Sequence, residues 1–158
     1  MALTKGKFPF IIGLKSQRNI ITGLGTTRTL KAQESGSLIV LDTAAGTTIT
    51  LPAACKNGTW FEFMVGVTVT SNADKIITGA ATELLCGSII NCDTDTSDAV
   101  AIWKSLVATA NISVNLDGST KGGIKGDKFK LTKINSTTWI VEGTTNGTGT
   151  VATPFATS

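Results

Sequence analysis

From Arg28 onward, short runs of apolar and β-branched residues alternate with clusters of turn formers. The runs occupy 28–33, 37–41, 47–51, 59–69, 75–78, 83–90, 99–103, 111–116, 128–134 and 138–142. Between them stand Glu34-Ser35-Gly36, Ala45-Gly46, Asn57-Gly58, Asn72-Ala73-Asp74, Asp117-Gly118 and Asn135-Ser136, the residue types that tolerate tight turns. Strict alternation is clearest in two places. Phe61, Phe63 and Val65 share one strand face, while Trp60, Glu62 and Met64 share the other. Phe129, Leu131 and Lys133 oppose Lys128, Lys130 and Thr132, and 128–142 reads as a hairpin with Trp139 and Val141 on one face and Ile140 on the other. The best helical competitor, 99–110, is interrupted by Val and Ile and lacks a polar face, so it reads as strand.

This spacing predicts an all-β fold, a single β-sandwich or jelly-roll-like domain over 28–143. No repeat of solenoid period is apparent, and 28–79 reads as a compact meander. Before the domain, 1–27 has no sustained periodicity and reads as an extended N-terminal arm. After it, 144–158 is rich in Thr and Gly and reads as a flexible C-terminal tail unless Phe155 finds a pocket. The arm carries Phe8, Phe10, Ile11 and Ile12, which are expected to pack either on their own domain or on a partner rather than lie free in water.

Composition narrows the function classes. The chain has 158 residues, enough for one hydrophobic core, and is 41% hydrophobic but only 16% charged, which argues against disorder. Its net charge of +3 falls short of a dedicated nucleic-acid binder. The cations are unevenly placed, however: Lys5, Lys7, Lys15, Arg18, Arg28 and Lys31 all precede the first acidic residue, Glu34. Lysines 121, 125, 128, 130 and 133 form a second basic group that reads as a guarded strand edge. No apolar run approaches membrane-spanning length, and residues 1–14 lack the apolar core of a signal peptide, so synthesis in the cytoplasm with reduced thiols is expected.

Chemistry is sparse. Histidine is absent, which removes the commonest general base and metal ligand and every Ser-His or Cys-His pair. Cys55, Cys86 and Cys92 are odd in number, have no metal-ligand spacing and read as small buried hydrophobes. Asp93, Asp95 and Asp98 lack the glycine and closing glutamate of an EF-hand and read as a polar surface loop with at most a weak cation affinity. Gly23-Leu24-Gly25 and 121–126 lack the context of a phosphate loop, and the three tryptophans sit at strand positions that favour the core. The expectation is a non-enzyme with no catalytic residue, resident metal or cofactor.

From Ser35 to Ala54, with Leu38-Ile39-Val40-Leu41-Asp42 and Thr47-Thr48-Ile49-Thr50-Leu51-Pro52, then through Gly58-Thr59-Trp60-Phe61-Glu62-Phe63-Met64-Val65 to Gly79, the chain resembles bacteriophage head decoration (capsid cement) proteins and related virion β modules. The resemblance covers 28–79 and fades to texture beyond. It implies a β-sandwich virion protein, a homo-oligomer of trimeric type, that sits on the capsid exterior, binds the major capsid protein and stabilises or decorates the shell, without nucleic-acid or membrane partners. Such proteins act through surfaces, so no site residue carries over. The residues expected to meet the capsid are those of the arm: Lys5, Lys7, Phe8, Phe10, Ile11, Ile12, Lys15 and Arg18. The alternative is the head of a tail fibre or spike that binds a host receptor or carbohydrate.

Overall fold

The computed structural model describes residues 17–96 and 99–158. Its strands are β1 (Ile20–Ile21), β2 (Thr27–Thr29), β3 (Leu38–Leu41), β4 (Thr48–Thr50), β5 (Trp60–Val65), β6 (Asp74–Ile77), β7 (Leu84–Asp93), β8 (Ala101–Ser105), β9 (Ser113–Leu116), β10 (Lys128–Lys133), β11 (Thr138–Gly147) and β12 (Phe155–Ala156). They form a seven-stranded sheet, β1-β3-β5-β10-β11-β7-β8, packed on a five-stranded sheet, β12-β9-β6-β4-β2. The molecule is an all-β sandwich.

The alternation in the sequence determines what lies between the sheets. Ile39, Leu41, Phe61, Phe63, Leu85, Ile89, Phe129, Leu131, Trp139 and Val141 come from the inner face of the larger sheet. They meet Ile49, Ile76, Val114 and Leu116 of the smaller one. Phe63 and Phe129 are register partners whose rings stack with centroids 5.2 Å apart, an aromatic cross-strand pair at the middle of the core. The predicted hairpin is present as β10 and β11, antiparallel from Lys133↔Trp139 to Lys128↔Thr144.

The expected meander is not formed. Successive strands from β1 to β6 alternate between the two sheets, and neighbours within each sheet are parallel: β1 with β3, β3 with β5, β2 with β4, β4 with β6. The chain therefore winds through three coils. At one end their turns are tied to one another: Gly23 N–H donates to Asp42 Oδ2 (2.7 Å), Thr47 N–H to Asp74 Oδ1 (2.8 Å), and Thr70 N–H to Ala44 O (2.8 Å). Register places Leu38 beside Ile20 and Glu62 beside Leu38, so successive coils are 18 and then 24 residues long. That inequality hides the repeat from sequence inspection.

The domain limits also move. Ile21 and Leu24, assigned to the arm, are buried in the core, and β1 pairs with β3. At the other end β11 runs to Gly147, and β12 pairs antiparallel with β9 with Phe155 buried, so the expected flexible tail is a docked edge strand. Phe155 has found its pocket. Two-residue strands carry no readable period, and only the neighbouring strand reveals them.

The parallel β7–β11 pair requires Gly87. Its φ is +128°, and a Cβ there would lie 2.1 Å from the Val141 carbonyl oxygen. Gly87→Ala is expected to cost about 2 kcal/mol of stability. Urea unfolding measures it, and an unchanged midpoint would show that β7 can shift away from β11.

Candidate docking face

With the inner faces consumed by the core, the outer face of the seven-stranded sheet is the wider of the two outer sheet faces among the described residues. One register line crosses all seven strands as Ile20, Leu38, Glu62, Lys130, Glu142, Ser88 and Lys104. The next runs Val40, Met64, Lys128, Thr144, Ile90 and Ile102. Every one of these residues is half-buried or exposed. The six inter-strand steps make a face about 29 Å wide.

Its centre is neutralised by pairing. Glu62 accepts from both Arg18 and Lys128, and Lys130 Nζ lies 3.5 Å from Glu142 Oε1. Trp60 stands on the same face, with the Arg18 guanidinium 4.9 Å and the Lys130 ammonium 5.3 Å from its ring centroid. β10 is thus a central strand, and the expected lysine edge is corrected: Lys128 and Lys130 belong to an ion-paired platform, while Lys133 points inward and is buried beside Glu83. Lysines at alternate positions mark an outward face whether the strand is central or at an edge, so composition alone could not separate the two.

Of the residues expected to meet a capsid, Arg18 is the one the structure describes. It is fastened to the domain. Its Nε donates to Gly36 O (2.9 Å), its Nη2 to Ser37 O (3.1 Å), and its Nη1 pairs with Glu62. Lys5, Lys7, Phe8, Phe10, Ile11, Ile12 and Lys15 lie outside the described residues.

Elsewhere the candidate chemistry is structural. A groove of about 570 Å³ at one end of the sandwich is lined by Ala32, Gln33, Ala54, Cys55, Lys56 and Thr59. Burial pushes the Cys55 thiol above its ordinary range despite the nearby charge of Lys133, which makes it a poor nucleophile at neutral pH. All three cysteines are free and half-buried. Asp93 Oδ1 accepts from Asp95 N–H within the loop, and Asp95 Oδ2 accepts from the Thr148 hydroxyl and Gly149 N–H, so Asp95 ties the loop to the residues that follow β11; Asp98 lies outside the described residues. Asp117 and Asp127 serve the Gly-rich segment between β9 and β10. Burial acts to raise the Asp117 carboxyl, but N–H donation from Lys121 and Ser119 and the Thr120 hydroxyl outweigh it and hold it below the usual range. For Asp127 burial prevails and the carboxyl is raised, although Asn146, Gly123 and Ile124 all donate to it. Among the described residues no group of three or more Cys, Asp or Glu side chains is placed to hold a metal ion, and no helix is long and apolar enough to cross a membrane.

One surface escaped the sequence reading. Ile90, Val100, Ile102, Leu106 and Val107 are all exposed, and they cluster on β8 and its flanks at the end of the sheet. The signal was present in 99–110, where apolar residues occupy both strand parities although one face must meet water.

Compared with models of protein families, with curated proteins and with solved structures, the chain matches none of them.

Proposed function

We propose that this protein is a structural component of a bacteriophage virion that binds the outside of the capsid and stabilises or decorates the shell. The observation that carries this reading is the broad outer sheet face, whose central carboxylates Glu62 and Glu142 are already paired with cations of the same chain. Largely neutralised faces suit protein contacts, where shape complementarity and a few buried anchors supply the affinity. The resemblance over 28–79 supports the same reading, as does a sequence without histidine, the commonest general base.

Arm residues 1–16 supply apolar anchors and the cations Lys5, Lys7 and Lys15, which would steer the chain onto an acidic capsid surface. Arg18 helps shape the platform. Because Ile21 and Leu24 belong to the core, the truncation that isolates the arm removes 1–16 and leaves β1 in place. That variant is expected to keep its thermal transition and to lose binding to purified capsids in co-sedimentation. Undiminished binding would take the arm out of the proposal. Quantitative mass spectrometry of purified particles tests the function itself: a copy number of the same order as the major shell protein supports decoration. A few copies per particle would make the chain a fibre or spike component, and none would remove it from the virion.

A further inference from the structure

We infer that the β8 edge is a self-association surface, on which a second copy of this chain adds its own β8 antiparallel and continues the seven-stranded sheet across a two-fold axis. Among the described residues β8 ends that sheet and is hydrogen-bonded as a strand only to β7, so its outward backbone groups form a template for another strand. Natural edges are commonly blunted by brevity, proline, bulges or charge. β8 has five residues, no proline and one charge, Lys104. Val100 and Ile102 are 62% and 60% exposed, Leu106 and Val107 just beyond the strand are 56% and 52%, and Ile90 stands across from Ile102. Aliphatic exposure gathered along one strand edge marks a contact surface.

The edges available elsewhere in the fold identify the occupant. β1 and β12 have two residues each and β2 has three, so among the described residues β8 has no equally long edge to meet head-to-tail. A β8–β8 contact joins two equal edges, and antiparallel pairing of identical strands is the isologous arrangement that closes as a dimer. Charge permits it. With the two-fold at Ile102 or at Trp103, Lys104 falls opposite Val100 or Ile102 of the second copy and never opposite itself, which avoids the like-charge pairing that destabilises a ladder.

Sedimentation velocity of the full chain across a hundredfold range of concentration tests this. The expected result is a dimer that Ile102→Lys and Val100→Lys each convert to monomer with unchanged thermal unfolding, since both side chains are solvent-facing in the monomer. As a second readout, Ile102→Cys oxidised with copper-phenanthroline is expected to give an inter-chain disulfide, whereas Ile134→Cys, an exposed aliphatic position away from this edge, gives none. A wild-type chain that stays monomeric throughout, a trimer, or a dimer untouched by both lysine variants would each overturn the proposal.

Discussion

Glu83→Ala is expected to destabilise the fold by about 3–5 kcal/mol, the usual cost of leaving one partner of a buried ion pair alone. Glu83 and Lys133 are each 2% exposed and pair directly. The second oxygen of Glu83 accepts from the Trp139 indole N–H at 3.1 Å, and the Lys133 ammonium stands 5.3 Å from the Trp139 ring centroid. Lys133 and Trp139 are register partners in the β10–β11 hairpin, while Glu83 immediately precedes β7, so the triad joins three strands at one end of the core. Removing the carboxylate strands an ammonium in a low-dielectric interior and an indole donor beside it. The double variant Glu83→Leu/Lys133→Met removes both charges and is expected to recover most of the loss, because desolvating a buried pair offsets much of its attraction. Urea midpoints of both variants decide the matter. A single-variant loss below about 1 kcal/mol would mean that water reaches the pair as readily as it reaches a surface ion pair.

Asp74→Asn is expected to stabilise the protein at pH 7 by up to about 3 kcal/mol. Asp74 is fully buried; its Oδ1 accepts from Thr47 N–H, but its Oδ2 has no hydrogen-bond partner. Burial pushes the carboxyl up from 3.8 to about 6; donation from Thr47 opposes the rise, and the charge of Asp42 adds to it. Below pH 4 the carboxyl is protonated in both the folded and unfolded chains, and its favourable contribution is fully present. Between pH 4 and 6 the folded chain holds a proton that the unfolded chain has released, so stability falls as pH rises, and above 6 the contribution is lost. Asparagine mimics the protonated form at every pH and keeps an acceptor for Thr47. The gain over wild type should therefore be near zero below pH 4 and grow to its full size above pH 6. Paired denaturation curves at pH 3.5, 5 and 7 measure it. An asparagine variant less stable than wild type at pH 7 would show that the buried carboxylate is compensated by a charge or ligand. Asp127, also raised by burial, adds a slope of the same sign to both proteins and cancels from the difference.

Much of this architecture could be read along the chain, because strand faces are written locally. The inward set Phe61, Phe63, Val65, Phe129, Leu131, Trp139 and Val141 follows from period-two alternation, and each is buried as that period requires. The turn formers separated these strands correctly. Connectivity in space was another matter. Alternation states which side of a strand faces the core, and it is the same for a meander and for parallel coils, so β3, β4 and β5 read as sequential neighbours although β4 belongs to the opposite sheet. Burying Phe155 against β9 likewise depends on a strand some forty residues earlier, for which 144–158 holds no local sign.

The candidate docking face divides in the same way. The sequence by itself determined an all-β sandwich and the inward positions of its longer strands, since strand period is a local property. Only the tertiary structure decided that Arg18, Glu62, Lys128 and Trp60 share one platform, that Lys133 is buried with Glu83, and that β8 is the longest sheet edge among the described residues. The physical reason is that charge pairing and edge exposure are set by which strands become neighbours. That choice rests on non-local packing, which brings together residues as far apart as Arg18 and Glu62, or Glu83 and Lys133.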